Sequence, residues 1–331
     1  MSLRFFSQTA PLTLDSERVL GGFEVGMTPL EASAPWPVQQ VAMPSLDEPA
    51  VQAHEAWAVD GPVISGASEG IAWRRSGALL FGVIDLLESE VAVADGVSAL
   101  RHLGEQAYRR IFRLLDEQGM PHLWRLWNYI PDINGEQAGL ERYRQFNMGR
   151  GDAFEGCARS VTEQIPAACA LGMASGPLTV AFLAGNAPVV PIENPRQVSA
   201  YRYPQAYGPR SPTFSRAALA TLGDQEVLFI SGTASIVGHE TLHLGDVVAQ
   251  TRETLDNIGA VLAEAAKVSR SEAFPLTSLD YRVYVRYAKD APAVRAVMAQ
   301  RVGSARVHCV QADVCRRDLL VEVEAVGLRQ R

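Results

Sequence analysis

Cysteine is scarce and scattered. Cys157, Cys169, Cys309 and Cys315 form no C-x-x-C pair and no dense framework, so they read as free thiols in a reducing compartment. No apolar run approaches the roughly 18 residues of a membrane span. The opening residues, MSLRFFSQTAPLTLDSE, hold one arginine and no apolar stretch of signal-peptide length, so a cytoplasmic location is expected. Basic charge is not in excess. A net charge of −7 argues against general nucleic-acid binding but leaves room for a local arginine cluster around a small anion. There is no G-x-G-x-x-G after a strand and no P-loop, which argues against a nucleotide enzyme.

What is there is an ordinary globular composition, in a chain of 331 residues that suits two domains or one large one. Residues 1–57 carry Pro29, Pro35, Pro37, Pro44 and Pro49, which break any long element, so short strands and loops wrapped on the body are expected. Beyond residue 58 an α/β pattern sets in. Residues 78–86 read as a buried strand. Leu100, Leu103, Ala107, Ile111, Leu114 and Leu115 fall at helical spacing within 97–119, with Gly119 as a C-cap. A strand over 123–130, a helix over 140–154 and a strand over 178–183 follow. The second half repeats the order: strand 226–231, helix 244–266, strand 279–287, helix 292–301, and strands 305–311 and 319–325.

The halves share local wording. Leu80-Phe81 opens one core strand and Leu228-Phe229 the other, and Ala168-Cys169-Ala170 corresponds in place to His308-Cys309-Val310. An internal duplication explains this; so does common α/β periodicity. Between the halves, residues 189–219 hold five prolines together with Arg196, Tyr201, Arg202, Tyr203, Tyr207, Arg210 and Arg216. A proline-braced segment displaying arginine and tyrosine suits an anion-binding wall.

Three local patterns bear on chemistry. His239-Glu240-Thr241-Leu242-His243 matches H-E-x-x-H, which binds zinc only when both histidines share a helix face. Here it follows Gly238 between a strand and a helix, so a loop and no metal site are expected. Glu322 and Glu324 alternate in LLVEVEAV, on one face of a strand. They either face solvent or enter a pocket, where burial would raise a carboxyl pKa into the range of a general acid. Cys315 sits in DVCRRD, where two arginines beside it would lower a thiol pKa, although on local pattern alone a structural or incidental cysteine is the better reading.

Two segments resemble known families. ISGTASIVGHETLHLGDVVAQTRETLDNI (residues 230–258), with Gln250, Leu255, Asp256 and Asn257 on its helix, and ARVHCVQADVCRRDLLVEVEAV (residues 305–326) are similar to the Rid family of small α/β proteins. RYRQFNMGRGDAFE (residues 142–155) and NPRQVSAYRYPQAYGPRSPTFSRA (residues 194–217), followed by the Rid-like part, resemble chorismatases. The resemblance implies an α/β chain of two related Rid-like (chorismate mutase-like) α+β halves. Their mixed sheets would be packed by helices, with the active site between them. It implies an N-terminal extension (1–57), a degenerate Rid-like domain (58–188), a connector (189–219) and a catalytic Rid-like domain (220–331).

The activity implied is release of pyruvate from chorismate with 3-hydroxybenzoate, and some 4-hydroxybenzoate, as ring product. Alternatives are hydrolysis to a dihydroxycyclohexadiene carboxylate, a Rid-type enamine/imine deaminase, or a non-catalytic aromatic-acid binding module. No cofactor or metal is implied, and the partner is a small-molecule substrate, with neither nucleic acid nor membrane. The chain is expected to be a monomer or small homo-oligomer. By resemblance Glu322 is the acid, Cys315 assists at the ring, and Tyr143, Arg150, Tyr201, Tyr207, Arg216, Gly232 and Arg306 bind substrate. Arg306 takes the position of the Rid carboxylate-binding arginine.

Overall fold

A computed structural model describes residues 2–27, 34–47, 52–92 and 98–330; Pro29, Pro49 and Val97 of the sequence reading lie outside these. Four strands before residue 60 form a sheet of their own, β1 (Leu3–Gln8), β2 (Val19–Gly26), β3 (Val38–Ala42) and β4 (Ala53–Val59), in the order β1-β4-β2-β3. This is more regular than the expected wrapping of short strands and loops. Pairing across distant parts of the chain stabilises these strands, and β4 is buried along its whole length.

The next segment supplies β5 (Ile64–Ser68), β6 (Ile71–Ser76), β7 (Leu79–Leu86), α1 (Ala99–Gln118), β8 (His122–Pro131), α2 (Arg142–Gly156), β9 (Ala167–Met173) and β10 (Leu178–Gly185). The last segment supplies β11 (Val190–Ile192), β12 (Ala217–Leu222), β13 (Gln225–Ala234), α3 (Val247–Val268), β14 (Asp280–Val285), α4 (Ala291–Val302), β15 (Val307–Gln311), β16 (Asp313–Val314) and β17 (Val321–Gln330). All six apolar positions read on α1 are buried. Ser98 caps its start, and Gly119 ends it in the left-handed conformation at φ 66°. Helix α3 begins at Val247, capped by Asp246, so Leu244 lies outside it and is exposed. Leu140–Glu141 belongs to a two-residue ribbon with Glu136–Gln137, and the helix expected from 140 begins at Arg142.

The two large sheets repeat one topology. The first runs β16-β9-β8-β10-β7-β6-β5 and the second β11-β12-β13-β17-β14-β15. Within them β9-β8-β10-β7-β6 corresponds strand for strand to β15-β14-β17-β13-β12. The pair β9/β8 is parallel, as is β15/β14, and the other pairs in both runs are antiparallel. The shared wording falls on matched strands, with Leu80-Phe81 on β7 and Leu228-Phe229 on β13, and Cys169 on β9 and Cys309 on β15.

The core shows how the sheets face. One apolar cluster joins Trp57, Phe23, Trp127, Phe229 and Tyr284 from all three sheets and takes nothing from the helices. A second cluster lies under α1 and α2, and a third under α3 and α4. Each large sheet therefore carries its helices on the outer face and turns its inner face to the other sheets. Strand β16, from the C-terminal half, pairs with β9 of the first sheet and ties the halves together close to Cys315.

Candidate active site

Glu322 stands on β17, opposite Ala234 of β13 on one side and Tyr284 of β14 on the other. Between Ile230 and Thr233 the β13–β17 register slips by one residue, so Ser231 and Gly232 form a bulge facing Glu324. The bulge re-aims the backbone towards the other half. The Ser231 hydroxyl donates to the Ser215 carbonyl (2.6 Å) and accepts from the Ala168 amide (2.9 Å). The bulge also sets Gly232 against Glu322, where a β-carbon would overlap the carboxylate.

A cleft of about 610 Å³, open solvent at its mouth included, runs from Glu322 to the surface. An inner chamber of about 310 Å³ adjoins it, and Tyr143, Phe214, Gly232, Cys315 and Glu322 line both. These are the dimensions of small-molecule sites. The connector supplies Tyr203, Tyr207, Phe214 and Arg216 to the cleft, the first half supplies Glu141, Tyr143 and Arg144, and the second half supplies Ala234 and Ile236.

The charges are unequal. Glu322 is 4% exposed, and its carboxyl makes no hydrogen bond or ion pair with the described residues. Burial, reinforced by the negative charge of Glu324, pushes its pKa up to about 8. Glu324 faces the same way but has counter-ions, since Arg125 and Arg282 pair with it and the Tyr284 hydroxyl donates to it at 2.9 Å. Around Glu322 stand guanidiniums with no carboxylate within ion-pair distance among the described residues. Arg150, buried in the chamber, donates to Asn147 (2.7 Å) and leaves its Nε unpaired. Arg216, also buried, donates to the Val198 carbonyl and the Tyr203 hydroxyl (2.8 Å each) and likewise leaves Nε unpaired. Arg316 stacks over Tyr207, 4.0 Å from its centroid, donates to the His239 carbonyl and leaves Nη2 unpaired. A site where the raised acid of Glu322 stands beside several unsatisfied guanidinium N–H groups suits a small polyanion.

Cys315 lies deep in the protein yet opens on the cavity. Its thiol is pushed up to about 12, first by burial and then by Glu322, against the lowering effect of Arg316. A reactive thiolate, the alternative raised by the two arginines after Cys315, is therefore not formed at rest. Desolvation outweighs the neighbouring charge, and Arg317 points away to Glu136 and the Asn134 carbonyl. The Tyr143 hydroxyl is also shifted upward, by burial and by Cys315.

Support comes from residues that do not line the cleft. Arg286 donates to the carbonyls of Leu319 (2.8 Å), Val314 (2.9 Å) and Arg316 (2.8 Å) and holds the Cys315 loop. Gln250 accepts from the Leu320 amide and donates to the Asp318 carbonyl; Asn257 donates to the carbonyls of Ala234 and Ile236. Two of the four motif residues read on α3 thus brace the walls on either side of Glu322.

Two family models match the chain, chorismatase FkbO/Hyg5-like, N-terminal, over residues 55–184 and endoribonuclease L-PSP over residues 211–328. A chorismatase of Streptomyces rapamycinicus is 42% identical over 282 residues, which is 82% of this chain and 81% of the relative. A chorismatase of Streptomyces hygroscopicus is 38% identical over 331 residues, 98% of this chain and 93% of the relative. This chain belongs to the chorismatase family. A protein of Streptomyces hygroscopicus named 3-hydroxybenzoate synthase is 39% identical over 82% of this chain and 80% of its own. A crystal structure of a chorismatase superposes with a TM-score of 0.86 at 35% identity, covering 98% of each chain.

Of the residues singled out for this chorismatase fold, Glu322, Cys315, Tyr143, Arg150, Tyr207, Arg216 and Gly232 meet around one cleft and chamber. Arg306 does not. It precedes the edge strand β15, pairs with Asp280 at 2.9 Å, is half exposed and lines a different cavity. Tyr201 also lies elsewhere. It sits in a short 3-10 turn, Ala200–Arg202, which turns it to an outer groove under Arg202, while Tyr203 faces the cleft. Sequence reasoning missed Arg316 as a ligand-facing group; its only signal was its place directly after Cys315. The H-E-x-x-H segment is no helix. It forms a hairpin of Ile236–Val237 with Glu240–Thr241, turned at Gly238. His239 faces Tyr207 and His243 faces Glu253, so the two do not converge.

Proposed function

We propose that this chain converts chorismate into pyruvate and 3-hydroxybenzoate, with Glu322 as the acid that starts the reaction. One observation carries this reading: a buried carboxyl, protonated at neutral pH, sits at the junction of a cleft and a chamber where the guanidiniums of Arg150, Arg216 and Arg316 have no carboxylate partner among the described residues. Chorismate brings two carboxylates about a ring apart, which matches separate clamps. In this reading Arg150 in the chamber holds one carboxylate, and Arg216 and Arg316 in the cleft hold the other. Tyr143 and Tyr207 add hydroxyl donors, and Gly232, Ala234 and Ile236 form the wall beside the ring.

Glu322 gives its proton to the terminal methylene carbon of the enol ether, and the carboxylate left behind stabilises the oxocarbenium that forms. The ring hydroxyl beside the ether carbon then displaces the pyruvyl oxygen. The ring C–O bond breaks, pyruvate leaves as the keto acid, and the hydroxyl proton returns to Glu322. The resulting epoxide opens and loses a ring proton to give the hydroxybenzoate, so no water is consumed. Water attack on the cation instead gives pyruvate and a dihydroxycyclohexadiene carboxylate. Cys315, a neutral thiol beside Glu322, keeps that water from the ring and so favours the aromatic product, with 4-hydroxybenzoate as a side product of the same epoxide. A deaminase would use Arg306 and Glu322 together, and their placement in separate cavities weighs against it.

The test is incubation of the purified protein with chorismate, pyruvate being followed by a coupled assay and the ring product identified by chromatography. Equal amounts of pyruvate and 3-hydroxybenzoate are expected. Absence of pyruvate above the uncatalysed background would overturn the reading.

A further inference from the structure

A second cavity, about 440 Å³ with its open mouth included, lies where the N-terminal sheet meets both large sheets. It shares no lining residue with the Glu322 cleft or chamber. Aromatic rings from five strands form its walls: Phe5 of β1, Phe23 of β2, Trp57 of β4, Trp127 of β8 and Phe229 of β13.

Its polar groups are unevenly satisfied. The carboxylates are all engaged, Glu55 by Arg282, Glu324 by Arg125 and Arg282, and Asp280 by Arg306. Donors remain without partners among the described residues: Arg125 Nη1, Arg282 Nε and Trp57 Nε1, on side chains that are at most 4% exposed. A buried donor without an acceptor is unfavourable, and groups of them in one native cavity call for an explanation. The half-exposed guanidinium of Arg306 stands at the same cavity. The unmet chemistry is thus all of one kind, N–H groups seeking an acceptor, in a setting of ring faces.

We infer that this cavity is a second binding site, for a small planar aromatic carboxylate. The ring packs among Trp57, Trp127 and Phe229, and the carboxylate accepts from the spare N–H groups of Arg125, Arg282 and Trp57. The site does not depend on the chemistry at Glu322. The face of β17 that presents Glu324 to this cavity also presents Glu322 to the cleft, so the two sites share a strand.

The test is a titration with benzoate followed by tryptophan fluorescence, on the wild-type protein and on three variants, with a crystal structure of the benzoate complex. Ser7→Phe puts a ring into the cavity from the half-buried inner face of β1, Trp57→Phe removes one donor but keeps the ring, and Arg216→Ala disables the cleft. Saturable binding that weakens about tenfold or more in Ser7→Phe and Trp57→Phe but not in Arg216→Ala, with benzoate density beside Trp57, is expected. Pyruvate release by Ser7→Phe should be unchanged. Should Ser7→Phe fail to fold, Arg306→Gln at the same cavity takes its place. Binding lost in Arg216→Ala but intact in the cavity variants, or no saturable binding at millimolar benzoate, would overturn the inference whatever the outcome with chorismate.

Discussion

The carboxylate of Glu322 occupies the space that a side chain at Gly232 would need. The bulge at Ser231-Gly232 creates that space by adding one residue to β13 opposite Glu324. Gly232→Ala should therefore displace the acid and leave the fold intact. Because a misplacement of about an ångström can cost about 100-fold in rate, kcat for pyruvate release should fall by that order, with little change in melting temperature. Steady-state kinetics beside a thermal melt checks both halves of the expectation.

The pH dependence follows from the proton on Glu322. Its pKa is raised from 4.5 to about 8, so the acid form predominates at neutral pH and is lost as pH rises through about 8. The rate at saturating substrate should decline above that value. The same proton affects stability. Between 4.5 and about 8 the folded chain holds a proton at this residue that the unfolded chain has lost, so the stability contribution falls with rising pH and levels off above about 8. Glu322→Gln removes this titration. The melting temperature of the variant relative to wild type should climb across that window and then stay flat.

Cys315 should govern what the ring becomes. Held neutral by burial and by Glu322, it fills space beside the acid without offering a thiolate. Cys315→Ala opens that space to water, and the product should shift from 3-hydroxybenzoate towards the dihydroxycyclohexadiene carboxylate while pyruvate release continues. Chromatography of the ring product at equal pyruvate yield reads the shift directly.

The arginines should separate by kind. Arg316 lines the cleft, is half-buried and stacked on Tyr207, and has an unpaired Nη2, so Arg316→Ala should raise KM about tenfold or more and lower kcat less. Arg216→Lys keeps the charge but loses the planar guanidinium, whose Nη2 holds Val198 and Tyr203 while its Nε is left unpaired, and should also weaken binding. Arg306→Ala, remote from the cleft, should leave chorismate kinetics at the wild-type level.

Much of this arrangement was legible in the sequence where local pattern governs structure. The helical spacing from Leu100 to Leu115 and the alternation that places Glu322 and Glu324 on one face both appear in the structure. The N-terminal sheet was hidden because its strands are short and pair at long range. Strand β2 also carries Gly21-Gly22, which looks like a turn but admits the Phe81 ring and the Glu55 carbonyl at close approach. Site residues were legible when carried by a motif or by the Tyr/Arg-rich connector. The connector could not show which of its tyrosines turn inward, since that depends on the 3-10 turn at Ala200–Arg202. Arg306 matched a family position, but the edge strand that follows it carries it to another cavity. Arg316 had no signal beyond its place after Cys315, because what holds its loop over Tyr203 and Tyr207 is Arg286, a residue distant in sequence.

In the proposed mechanism the buried carboxyl of Glu322 starts the cleavage. The most direct test is the rate of pyruvate release from chorismate by Glu322→Gln beside the wild-type protein, with circular dichroism confirming that the variant is folded. Loss of about 100-fold to 10,000-fold is expected, the range that a positioned general acid supplies. A folded Glu322→Gln variant that releases pyruvate within about tenfold of wild type would contradict the account.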